Sequence, residues 1–266
     1  MTDERADNSN GDARQVGAGQ TGAGQTDAGQ QKKPRSFWRE LPILILVALV
    51  LSFLLQTFVA RVYLIPSESM EPTLHGCNGC TGDRIVVEKI SYRFGDPQPG
   101  DVIVFRGPTS WDGDYVSTRS SNVVVRGAQE LGSLVGLVAP DENDLVKRVV
   151  ATGGQTVECC DDQGRVLVDG KPLDEPYITM DFEFVPGSLT CDTPIRSGRC
   201  FGPVTVPEGN VWVMGDNRSN SADSRYHVGD ELQGTIPSDN VIGQARVIVL
   251  PPGRWGLLDS PDIQGQ

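Results

Sequence analysis

Two serines one residue apart, Ser67 and Ser69, stand in the stretch IPSESMEPTL, Ile65 to Leu74. Pro66 and Pro72 frame them, and each proline fixes its own φ and stiffens the segment. A serine hydroxyl becomes a useful nucleophile when a neighbouring base takes its proton. The chain has only two histidines, His75 and His227. A Ser-His-Asp arrangement needs a histidine held by a carboxylate and touching the serine; both histidines read instead as loop residues with surface roles. No His-x-x-x-His spacing points to a metal centre. A lysine can serve in place of histidine if burial among apolar groups keeps it neutral part of the time. Beyond residue 61 there are three lysines. Lys89 lies beside Glu88, and Lys171 lies in DGKPL, which reads as an exposed hairpin turn. Lys147 lies in LVKRVV, between Leu145, Val146, Val149 and Val150. On a strand, alternation puts Lys147 and Val149 on one face and Arg148 on the other. The residues alone leave two readings open: an edge lysine with its ammonium in water, or a desolvated base.

The elements that must carry these groups follow from composition. Residues 1–36 hold almost no large apolar side chains and include the near-repeat GAGQTGAGQTDAGQ, Gly17 to Gln30. Such a segment buries too little surface to offset its ordering entropy, so a disordered tail is expected. Leu41 to Ala60 is a run of twenty uncharged residues, fourteen of them Leu, Ile, Val or Phe, matching the thickness of a bilayer core. It is longer than a cleavable signal peptide core, and bulky Phe58 stands where a cleavage site needs a small residue. It also lacks the polar stripe of a soluble surface helix. A transmembrane anchor over residues 37–61 is expected. Lys32, Lys33, Arg35 and Arg39 precede it and only Arg61 follows closely, which places the N-terminus in the cytoplasm and the large domain outside.

Residues 62–257 read as one β-rich domain, with 258–266 a flexible C-terminal tail. Short apolar or alternating runs recur, among them RIVVEK, DVIVF, NVVVR, LVKRVVA, RVLVDG, NVWVMG and ARVIVL, separated by Gly, Pro, Asp and Asn. An antiparallel, mostly β fold is expected. Ala128 to Val138 is a helix candidate, or equally an apolar loop near the bilayer. The net charge is −12, and residues 1–40 carry six basic and six acidic side chains, so the acidity belongs to the large domain. A nucleic-acid partner needs basic surface and is not expected.

IPSESMEPTL, GDVIVF (Gly100 to Phe105), KRVVATGG (Lys147 to Gly154) and GDNRSNSADSR (Gly215 to Arg225) occur in that order behind the apolar run. Together they resemble the bacterial type I signal peptidases, membrane-bound serine proteases that remove signal peptides from exported preproteins. The resemblance covers roughly residues 37 to 257. It implies Ser69 as nucleophile and Lys147 as general base. It implies that the Ser67 hydroxyl joins the Ser69 N–H in an oxyanion hole, and that Ser221 orients the lysine. Asp223 and Arg225 match a supporting ion pair, Gly215, Asp216, Asn217 and Arg218 the turn that presents the site, and Arg148 the residue following the base. GDNRSN is physically just as readable as a loop with local Asx hydrogen bonds. Ile65, Met70, Leu74 and Val146 resemble positions of an apolar substrate groove, which ordinary core packing would also explain. An extended peptide could add as a strand beside residues 64–67 and 145–147. The resemblance implies preproteins and the lipid bilayer as partners, cleavage after small residues, and no metal or organic cofactor. One departure stands out: where the family commonly has Gly and then Pro-Gly-Asp after Lys-Arg, this chain has Ala151, Gly153, Gly154 and Gln155. Residues 106–146 form a long connector.

Six cysteines, Cys77, Cys80, Cys159, Cys160, Cys191 and Cys200, all follow residue 61 and suit an oxidising compartment. Cys191 and Cys200 bracket a turn-rich segment and are expected to pair. CNGC and CC are expected as disulfides of open connectivity, with a zinc site as the rival. Two other functions stay in view: a different Ser-Lys peptidase resembling the self-cleaving repressors, and a catalytically silent anchored β domain. The anchor disfavours the first, and the intact serine and lysine motifs disfavour the second.

Overall fold

The computed structural model describes residues 37–77, 80–114, 119–134 and 143–265. The expected disordered tail, residues 1–36, lies outside them. Helix α1, Phe37–Phe58, contains the apolar run. From Glu40 to Phe58 it is long and apolar enough to cross a membrane, and none of those residues is buried by protein.

The rest is mostly antiparallel β. The strands are β1 (Ala60–Leu64), β2 (Arg84–Glu88), β3 (Val102–Arg106), β4 (Asp144–Thr152), β5 (Thr156–Cys159), β6 (Val166–Val168), β7 (Lys171–Pro172), β8 (Phe201–Thr205), β9 (Asn210–Met214), β10 (Ile236–Pro237), β11 (Val241–Leu250) and β12 (Gly256–Leu257). One sheet runs β1-β2-β11-β3-β4-β9-β10, with β12 on β11; a smaller one runs β7-β6-β5-β8. The strand-forming runs of Val and Ile are buried on both faces at the centre of the large sheet. On β3, Val102 and Val104 enter one core with Ile65, Met70, Leu74, Ile85 and Val87. Ile103 and Phe105 enter another with Trp111, Val149, Val213 and Ile236. A third core, including Val150, Val157, Val204 and Trp212, joins the two sheets. The β6–β7 turn is Asp169-Gly170, both at positive φ, the pattern of a tight hairpin, and Lys171 is exposed there as expected.

Two boundaries differ from expectation. NVVVR is not a strand: Val123–Leu134 is helix α2. Asn122 Oδ1 accepts from the Val124 N–H at 3.0 Å and the Val125 N–H at 3.4 Å, and Arg126 pairs with Glu130 at 3.1 Å one turn on. A cap and an i,i+4 pair outweigh the β preference of three valines that have no strand to join. The helix starts five residues before the expected candidate, whose end at 135–138 lies outside the described residues. Residues 258–265 do not stand off as a tail. Ile263 is fully buried, Gln264 Nε2 donates to the Val150 carbonyl at 3.0 Å, and the Asp174 N–H donates to the Ile263 carbonyl at 2.9 Å. Gly100 makes this docking possible: its φ is +96°, and a Cβ there would meet Pro261 O at 2.1 Å.

Candidate active site

Ser69 sits in a single 3-10 turn, Glu68–Met70, directly after the extended segment that leaves β1. Met70 anchors this turn by entering the core. The extended segment is held close to its neighbours by small residues: a Cβ at Gly76 would lie 2.6 Å from the carbonyl oxygens of Ile65 and Ser67, and one at Gly82 would lie 2.1 Å from Ile65 O. Asp83, buried and not anticipated from the sequence, ties the segment together. Its carbonyl accepts the Ile65 N–H, its carboxylate accepts the His75 N–H, and Arg254 pairs with it.

Lys147 lies on β4, opposite Ile103 of β3. Its Nζ is 2.8 Å from Ser69 Oγ and 3.0 Å from the Val146 carbonyl. Only 4 % of the side chain is exposed, so the edge-lysine reading fails. Burial lowers its pKa to about 8, against the pull of Asp223 and Asp216. Ser67 Oγ is 3.2 Å from Ser69 Oγ. The histidines have other partners: His75 pairs with Glu71 at 2.7 Å, and His227 stacks on Trp111 with ring centroids 4.2 Å apart.

The last motif closes over the serine turn. Gly215 follows β9, and a Cβ there would lie 2.2 Å from Ser221 Oγ and 2.4 Å from Ser69 O. The Asn217 N–H donates to Ser69 O at 3.1 Å, and its Nδ2 donates to Glu68 O at 3.2 Å. The sequence reading placed Asn217 only in a presenting turn; its position in GDNRSN was the available signal. Ser221 is buried against Gly215, and no hydrogen bond joins its hydroxyl to Lys147; the amine's second bond goes to the Val146 carbonyl.

Buried charges brace this turn. Arg148 grips Asp216 through two bonds, 2.9 and 2.7 Å. Thr73 Oγ1 donates to the same carboxylate at 2.5 Å, the Gly100 carbonyl accepts from Arg148 at 2.6 Å, and the Arg148 guanidinium covers the Tyr177 ring at 4.0 Å. Asp223 accepts the Gly215 N–H at 2.9 Å and pairs with Arg225 at 2.8 Å. Burial pushes the Asp223 pKa up, but the Arg225 hydrogen bond and charge and the Gly215 N–H outweigh it, and the net shift is downward. Arg218 donates to the Gly215 carbonyl and pairs with Glu175.

Ile65, Met70 and Leu74 are core residues, with Val146 packed against them and partly exposed. Leu74, Met70 and Ile65 are 0, 1 and 3 % exposed and have almost no surface of their own to offer a ligand. Among the described residues, Asp144–Lys147 pair with β3 and have no β9 partner, because the β9 register begins at Arg148.

The family described as signal peptidase, peptidase S26, matches residues 38–250. The chain is 58% identical over 237 residues to a protein named signal peptidase I from Mycobacterium tuberculosis (strain ATCC 25618 / H37Rv), covering 86% of this chain and 78% of that one. It is 56% identical to a probable signal peptidase I of Mycobacterium leprae (strain TN), covering 88% and 83%. It is 40% identical to a probable signal peptidase I-1 of Synechocystis (strain ATCC 27184 / PCC 6803 / Kazusa), covering 85% and 90%. The chain belongs to the S26 signal peptidase family and is a serine endopeptidase.

Proposed function

We propose that this chain removes signal peptides from exported preproteins, with Ser69 as nucleophile and Lys147 as general base. The observation that carries the reading is the 2.8 Å approach of Lys147 Nζ to Ser69 Oγ inside an apolar site that lowers the amine's pKa. An extended peptide adds along residues 145–147 and beside residues 64–67, so that its scissile carbonyl meets Ser69. Lys147 takes the hydroxyl proton as Ser69 Oγ attacks, then returns it to the leaving amine. The developing oxyanion is met by the Ser69 N–H and the Ser67 hydroxyl. Water then hydrolyses the acyl-enzyme, with Lys147 again as base. Asp216, Arg148, Arg218, Asp223 and Arg225 support the turn; Ser221 and Gly215 set its closeness to the serine. Val146, partly exposed over the core of Ile65, Met70 and Leu74, offers a shallow apolar surface that favours small side chains before the cut. Helix α1 anchors the enzyme with its N-terminus in the cytoplasm and its β domain outside. That raises the effective concentration of substrates held in the same bilayer.

Incubation of the detergent-solubilised protein with a preprotein, followed by mass spectrometry, tests the reaction. A single cut after a small residue at the end of the signal segment is expected; an uncut preprotein overturns the reading. Protease added outside spheroplasts tests the topology. It should digest the β domain, and protection of that domain overturns the orientation.

A further inference from the structure

Two disulfides of the small-sheet region lie against each other. Cys159–Cys160 ends β5, and Cys191–Cys200 closes a loop of nine residues' separation. The sulfurs of Cys160, Cys191 and Cys200 all lie within 4.8 Å of one another. Cys191 Sγ is also 3.3 Å from the Cys159 carbonyl oxygen. Cys160, Cys191 and Cys200 are half-buried rather than sealed. Cys77–Cys80 is a separate pair in the loop after the serine turn.

We propose that Cys159, Cys160, Cys191 and Cys200 form one thiol–disulfide exchange unit, a modification site for low-molecular-weight thiols. Exchange proceeds by thiolate attack on a disulfide sulfur through a mixed disulfide. An external thiolate attacks Cys191 Sγ, breaks the Cys191–Cys200 bond and releases the Cys200 thiolate. That thiolate attacks Cys160 Sγ, forms Cys160–Cys200 and expels the Cys159 thiolate. Cys159 then attacks the mixed disulfide on Cys191, forms Cys159–Cys191 and returns the external thiolate. Two disulfides exist before and after, and no net oxidation occurs. The unit therefore has two pairings, one local and one that crosslinks β5 to the 191–200 loop. That loop carries Arg199, which donates to the carbonyls of Phe182 and Gly164, and the second pairing adds a covalent link from the loop to β5.

The test uses the full-length protein in detergent, held in glutathione buffers of varied thiol-to-disulfide ratio, then trapped by alkylation and digested with trypsin without reduction. Cys159 and Cys160 fall on residues 149–165, Cys191 on 166–196, Cys200 on 200–218, and Cys77 and Cys80 on 62–84. The expected result is loss of free 149–165 and its appearance joined to 200–218 or 166–196, while 62–84 stays separate. A 149–165 peptide that never joins the others at any ratio overturns the proposal. So does entry of 62–84 into the crosslinks, which marks general scrambling of unfolded chains. Cys159→Ser gives a second reading: Cys160 should displace Cys191 or Cys200, leaving one free thiol spread over the loop peptides. A Cys160 that stays free or glutathionylated beside an intact Cys191–Cys200 bond overturns the relay.

Discussion

Lys147 Nζ stands 2.8 Å from Ser69 Oγ although the two residues are 78 positions apart in the chain. Among the described residues the amine donates to no carboxylate; its other bond goes to the Val146 carbonyl. A buried lysine without a bonded counter-ion is driven towards its neutral form, and that form can accept the serine's proton.

Removing the serine oxygen tests the nucleophile. Ser69→Ala is expected to abolish preprotein cleavage with the thermal unfolding midpoint unchanged. Ser67→Ala should lower the rate about 10²–10³-fold, the usual loss for one oxyanion donor. Cleavage at the parent rate by either variant removes that residue from its role.

Proton affinity separates a base from a mere positive charge. Arginine stays protonated in proteins, so Lys147→Arg is expected to be as inactive as Lys147→Ala. The amine must be neutral to act, so the parent rate should climb with pH through about 8 and then level. Turnover by Lys147→Arg beyond a trace, or a rate flat from pH 6 to 9, would count against the base assignment.

The same desolvation has a stability consequence. The folded amine has a pKa of about 8 against 10.5 in the open chain, so the unfolded state binds more protons between those values. Stability therefore rises with pH across that window, and the full penalty, about 3 kcal/mol, applies below it. Lys147→Met should melt at a higher temperature than the parent at pH 7, with the gain shrinking towards pH 10.5. Calorimetry at several pH values reads this, and an equal or lower midpoint at pH 7 contradicts it.

Asp216 and Arg148 are both buried, at 0 % and 2 % exposure. Asp216→Ala leaves the guanidinium unpaired and is expected to cost about 3–5 kcal/mol. Asp216→Asn retains an acceptor for Arg148 and should cost less. Denaturant midpoints of the two variants check the order, and equal losses would show that the charge is irrelevant.

Gly215 leaves no space for a methyl group between Ser221 Oγ and Ser69 O. Gly215→Ala must push the serine turn or the Asn217 turn aside. A displacement of this size is expected to lower the cleavage rate about 10²-fold with a smaller effect on melting. Parent activity in Gly215→Ala would show that the closeness of the two turns does not matter.

The sequence by itself determined what depends on neighbours along the chain. Alternating valines and isoleucines marked β2, β3, β4, β9 and β11, Asp169-Gly170 marked a hairpin, and the uncharged run Leu41–Ala60 marked a helix long enough for a bilayer. The motif resemblance picked out Ser69, Lys147, Asp216 and Arg148 by position. Only the tertiary structure decided which reading of Lys147 holds, because burial comes from β3 and the serine turn rather than from its flanking valines. It also decided that the Asn217 amide holds the Ser69 carbonyl, that Asp83 ties the serine segment together, and that Ile263 completes a core. Those contacts join residues far apart in sequence, where no periodicity reports them. The valines of α2 were misread for the converse reason: strand preference takes effect only where a partner strand is present, and at 123–125 a capping asparagine was present instead.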